Sequence, residues 1–146
     1  ISLEVSSTIT DCDKGYIELS CAVDRESILD IFSIQMKRFD GDDASVVMEI
    51  GTLNVEQEHV VLVDTELASR TGVVVNSSIS TAGVSYLSLR IMGSVVKPQK
   101  DKGPYQCFLF GLDTFCGSIK ESSTLEMLNI IGSSNILLIY ICIAFT

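Results

Sequence analysis

Asp101-Lys102-Gly103-Pro104-Tyr105-Gln106-Cys107 reads D-x-G-x-Y-x-C and runs directly into the apolar triplet Phe108-Leu109-Phe110. Side chains alternate between the two faces of an extended strand, so Tyr105, Cys107 and Leu109 share one face. Upstream, Tyr16-Ile17-Glu18-Leu19-Ser20-Cys21-Ala22-Val23 alternates in the same way. Burying Ile17, Leu19 and Val23 carries Cys21 into the core with them.

A tyrosine two residues before a cysteine at the start of a strand resembles the tyrosine corner of an immunoglobulin-type domain. The resemblance implies an all-β fold, an immunoglobulin-like antiparallel β-sandwich, with Cys21 and Cys107 bridged between its two sheets. It also implies that Tyr105 buries its ring and donates its hydroxyl to a backbone carbonyl upstream. In such a sandwich the first strand is expected beside the last, which makes Cys12 and Cys116 the natural second pair. That bridge requires their Cα atoms to lie within ~7 Å.

The rest of the chain fits a series of short strands separated by turn residues. Residues 1–5 alternate as a first edge strand would. Phe32, Ile34 and Met36 are in phase within 31–38, the position where antibody-type domains place a tryptophan against the disulfide. The chain contains no Trp, so Phe32 or Ile34 is expected to fill that space. Phe39-Asp40-Gly41-Asp42-Asp43 signals a hairpin turn, and 45–53 reads as the returning strand. Residues 60–63 are strand-like, and 65–70 can form a short helical turn. Strands are expected over 72–79 and 86–91, the latter with Leu87, Leu89 and Ile91 inward. Residues 93–102 connect to the strand at Tyr105, and a last strand is expected between Cys116 and Met127.

Composition narrows the function. The 146-residue chain carries a net charge of −9 with ten basic residues. Phosphate backbones are held by clustered Lys and Arg, so no nucleic-acid partner is expected. Five cysteines without a C-x-x-C spacing indicate structural disulfides in an oxidising compartment, with buried free thiols in a cytosolic protein as the alternative. The start at Ile1 rather than Met is read as a mature or fragmentary chain. Asn76-Ser77-Ser78 is the sole N-glycosylation sequon, meaningful only on a secreted chain.

No catalytic constellation emerges. His59 is the only histidine and sits in the polar run Glu56-Gln57-Glu58-His59, without a nucleophile motif nearby. Asp40, Asp42 and Asp43 lack the spacing of an EF-hand calcium loop. No cofactor, metal ion or enzymatic activity is expected.

From Met127 to Thr146 there is no charged residue. The continuous apolar run from Ile136 to Phe145 is shorter than the ~20 residues that span a bilayer, and no Lys or Arg follows it. We divide the chain into an immunoglobulin-like domain, 1–127, and a hydrophobic C-terminal tail, 128–146. The tail is read as a membrane anchor, a GPI-attachment signal, an aberrant C-terminus, or an extra element packed on the domain.

Tyr86-Leu87-Ser88-Leu89-Arg90-Ile91, Gly103-Pro104-Tyr105-Gln106-Cys107 and Phe110-Gly111-Leu112-Asp113 together resemble the Ig-superfamily domains of molluscan fibrinogen-related proteins, many of which also lack the tryptophan. The resemblance spans about residues 1–127. It implies an extracellular, innate-immune recognition or adhesion module with protein or glycan ligands. The fibrinogen-like domain that completes that family's lectins is missing from this sequence, and the hydrophobic tail stands in its place. The expected contact segments are 24–29, the segment after Phe39, and 111–115. The alternative is a structural spacer, or a membrane-linked domain without a ligand of its own.

Overall fold

A computed structural model of the chain describes residues 1–7, 15–24, 26, 28–51, 59–80 and 83–128. Among the described residues nine strands follow in order: β1 (Ser2–Ser7), β2 (Tyr16–Val23), β3 (Ile28–Asp40), β4 (Asp43–Gly51), β5 (His59–Leu62), β6 (Val73–Ser78), β7 (Ser85–Met92), β8 (Tyr105–Asp113) and β9 (Ser118–Ser122). Two short helices, α1 (Thr65–Ser69) and α2 (Pro98–Asp101), interrupt them. The strands form two antiparallel sheets, ordered β1-β2-β7-β6 and β5-β4-β3-β8-β9. This is an immunoglobulin-like sandwich.

Its core follows from period-2 burial. Ile17, Leu19, Cys21 and Val23 of β2 are sealed, with half-exposed residues between them. Leu87, Leu89 and Ile91 of β7 and Tyr105, Cys107 and Leu109 of β8 complete the facing layers. Cys21 and Cys107 are joined by a disulfide, with Cα atoms 5.7 Å apart. Each residue lies inside its own strand's inward stripe, so the bond crosses from sheet to sheet through the core.

β3 departs from simple alternation. Ile31 pairs with Gly111 and Ser33 with Phe110, leaving Phe32 as an extra residue in a bulge. Ile31 is therefore fully buried, whereas Phe32 is 37% exposed. The expectation that Phe32 faces inward in phase with Ile34 and Met36 is thus corrected. Ile34 and Met36 are the buried residues, and Met36 lies opposite Cys107 in the register. Gly111 makes the bulge possible: a Cβ there would collide with the Asp30 carbonyl oxygen.

The pairing of β1 corrects a second expectation. It lies beside β2, not beside the last strand, although the Ile1 amino group reaches Glu121 of β9 at 3.3 Å. Ser7 pairs with Ile17, and Ile28 with Asp113. The β1–β2 connection thus leaves from one end of the sandwich and the β8–β9 turn from the other. Cys116, in that turn, is an exposed free thiol. The expected Cys12–Cys116 bridge is therefore not formed, and Cys12 itself lies outside the described residues.

The end of the sandwich that carries α1 and α2 is tied by charge. Asp64 caps α1, accepting from Leu67 N at 3.0 Å, and its other oxygen takes Arg38 Nη2 at 2.8 Å. Arg70 follows α1 and grips Asp101 at the end of α2. Leu128 N donates to Lys102 O at 2.9 Å, and Leu128 is buried against the core. Residues 129–146, nearly all of the hydrophobic tail, lie outside the described residues.

Candidate functional site

The outer face of the five-stranded sheet is assembled from the side chains that the core leaves over. Since Cys107 and Leu109 point inward, Gln106, Phe108, Phe110 and Leu112 of β8 must point outward. Register sets their neighbours. Gln35 and Ser122 flank Phe108, while Ser33 and Lys120 flank Phe110. Glu49 and Val61 extend the first row across β4 and β5.

Both phenylalanine rings are half-buried rather than exposed. Lys37 Nζ stands 4.5 Å from the centroid of the Phe108 ring, and Lys120 Nζ stands 5.9 Å from that of Phe110. Such cation–π contacts are worth about 0.5–1 kcal/mol each at exposed sites. Gln35 Nε2 donates to Glu49 Oε2 at 2.7 Å beside them. The result is a surface with an aromatic centre, cations above it and a polar margin. That is the composition of protein-docking surfaces, where aromatic anchors are ringed by polar groups.

This face is legible in Phe108-Leu109-Phe110. A strand that is apolar on both faces has one face too many for a single core. The segments expected to make contacts are distributed differently. Residues 24–29 and 111–115 do share one end of the sandwich, although positions 25 and 27 lie outside the described residues. There Phe115 is 92% exposed and Leu29 52% exposed. Asp113 Oδ1 fixes the turn, accepting from Phe115 N at 2.9 Å and Gly117 N at 2.8 Å. The turn after Phe39 belongs to the opposite end, because Arg38 pairs with Tyr105. It cannot join the other two segments in one contact surface.

Tyr105 is fully buried, but its hydroxyl has no hydrogen-bond partner among the described residues. The expected donation to a backbone carbonyl is absent. Burial pushes its pKa up to about 12, with the Asp101 carboxylate adding to the rise and Arg38 opposing it. Asp101 is occupied elsewhere, accepting from Arg70 twice and from Lys97 N.

On the other sheet, Asn76 stands exposed on the outer face of β6, opposite Ser88. Glu18 on the same face takes hydrogen bonds from Arg90 and Ser88, and these hold its carboxyl below the ordinary range. His59 begins β5, its backbone paired with Gly51. Among the described residues no three His, Cys, Asp or Glu side chains gather to hold a metal ion. Among the same residues, no helix is long and apolar enough to cross a membrane.

No protein-family model matches the sequence, and no curated protein matches it. Solved structures do. Murine CRIg shares 14% identity over 87% of this chain and 94% of its own, with a TM-score of 0.59. It is one of 437 matching chains, so the likeness defines a widely shared architecture and no particular ligand.

Proposed function

We propose that this chain is a non-enzymatic, extracellular recognition or adhesion module that docks a protein partner on the outer face of its five-stranded sheet. The observation that carries the reading is the pair Phe108 and Phe110, held half-buried under Lys37 and Lys120 on a face the core does not need. Two rings fixed by a rigid sheet lose little conformational entropy on contact. The disulfide between Cys21 and Cys107 supports an oxidising, extracellular setting. The motif resemblance around Tyr105 and Phe110 supports an innate-immune role of the fibrinogen-related, lectin-like kind. On this reading, the segment after Leu128 is what attaches the module to a membrane.

Binding of the labelled chain to cells, scored with Phe108→Ser, Phe110→Ser and Phe115→Ser variants, tests the docking face. Loss of binding in the first two, with near-UV circular dichroism unchanged, is the expected result. Loss confined to Phe115→Ser moves the contact to the β8–β9 turn. Undiminished binding in all three moves the contact off both segments, and no binding by the unaltered chain leaves a structural spacer. Prior treatment of the cells with protease or with glycosidase separates a protein ligand from a glycan.

A further inference from the structure

The outer face of the four-stranded sheet carries its own concavity, of different chemistry. A hollow of about 480 Å³ is lined by Glu18, Ser20, Tyr86, Ser88 and Arg90, and Asn76 and Val74 stand at its β6 side. Its volume lies within the roughly 300–1,000 Å³ typical of small-ligand sites. Ser78 pairs with Tyr86, and Asn76 with Ser88. Asn76 is thus the same-face diagonal neighbour of Tyr86, at a Cα spacing of about 7–8 Å. Asn76 and Ser78, the first and third residues of the sequon, both face outward. Asn76 Oδ1 accepts from Ser77 N at 2.9 Å, and Nδ2 makes no hydrogen bond among the described residues.

We propose that Asn76 is N-glycosylated and that the first sugar of the glycan seats in this hollow, leaving the five-stranded sheet as the uncovered face of the sandwich. In the modification, Asn76 Nδ2 bonds to C1 of the terminal N-acetylglucosamine of a lipid-diphosphate-linked oligosaccharide. The C1–O bond to the diphosphate breaks, and its electron pair leaves with the lipid diphosphate as the amide gives up one proton. The hollow suits the attached sugar. The aromatic ring of Tyr86 matches the apolar face of a pyranose. Ser20 and Ser88 offer hydroxyls, and the Glu18 carboxylate accepts from sugar hydroxyls.

The proposal rests on the extracellular reading, and the experiment separates the two. The full chain is produced through a eukaryotic secretory pathway, and peptide N-glycosidase is applied. The expected result is loss of one glycan mass and conversion of Asn76 to Asp, with neither change in Asn76→Gln or Ser78→Ala. Nuclear Overhauser contacts between the N-acetyl methyl group and the Tyr86 ring are expected, and Tyr86→Ser should abolish them while leaving occupancy intact. A secreted, disulfide-bonded protein with bare Asn76 overturns the site but leaves the extracellular reading standing. Occupancy with a freely tumbling first sugar overturns the seat. Free thiols at both Cys21 and Cys107 in the native protein overturn the extracellular reading and this proposal with it.

Discussion

Arg70 holds Asp101 through two hydrogen bonds, Nη1 to Oδ2 at 2.6 Å and Nη2 to Oδ1 at 3.0 Å. Asp101 is fully buried and the Arg70 side chain is 5% exposed. Removing one partner of a buried pair strands the other's charge, at a cost of about 3–5 kcal/mol. Arg70→Met is expected to lower stability by that amount in urea titrations. Arg70→Lys is expected to recover only part of it, because an ammonium group cannot reproduce the two-pronged contact. Arg70 also binds Glu66 and holds that carboxyl well below its ordinary range. A depressed carboxyl pKa contributes stability that is full above the unfolded-state value near 4 and fades as pH falls below it. The acid limb of the stability profile should therefore shrink in Glu66→Gln.

Cys21 and Cys107 are 86 residues apart in sequence. Constraining so long a loop in the unfolded chain is worth roughly 4–5 kcal/mol on the chain-entropy account. The Cys21→Ala, Cys107→Ala double variant is expected to lose about that much, read as a lower midpoint in guanidinium. An unchanged midpoint would show that the bond closes a structure already fixed by packing.

Tyr105 yields a prediction at the alkaline end. Its pKa, pushed up to about 12, exceeds the unfolded value near 10. The unfolded chain thus releases the phenolic proton first. The corresponding stability is full below pH 10 and is lost as pH rises from 10 to 12, by about 3 kcal/mol. Tyr105→Phe should flatten that limb, measured as denaturation midpoint against pH.

A methyl group at position 111 would collide with backbone, not with a side chain that could swing away. Gly111→Ala is expected to cost at least the roughly 1–3 kcal/mol of an overpacked core. It should also straighten the β3 bulge, which would appear as altered amide shifts at Ile31, Phe32 and Ser33.

Those last residues show where local reading of the sequence gives out. The phase of β2, β7 and β8 could be read directly because each strand alternates against a single partner layer. Phe32 could not be placed that way. Its outward direction depends on Gly111, some eighty positions later, and on the Asp30 carbonyl that leans over it. Cys116 is hidden from local reading for a similar reason. Its spacing is compatible with a bridge, but strand direction puts the β8–β9 turn at the end of the sandwich away from the Ser7–Ile17 pair. The aromatic outer face of β8 lay in plain view at Phe108 and Phe110, but an apolar run is ambiguous until one knows how many of its residues the core can use. Tyr105 and Cys107 needed no such count, since both fall on one face of one strand.

The disulfide has a mechanical consequence. Tension applied between the start of the chain and Leu128 enters at Cys21 and leaves at Cys107 through a covalent bond. Only the segments outside that loop can then extend: β1 peeling from β2 at one end, and β9 from β8 at the other. The stretch between the cysteines, which stand 86 positions apart, bears no load while the bond is intact, and reducing the bond would release about 300 Å of slack. The hollow beside Asn76 draws most of its residues from that sheltered stretch, whereas Phe108, Phe110 and Lys120 of the aromatic face lie beyond Cys107, on the part of the chain that tension can reach.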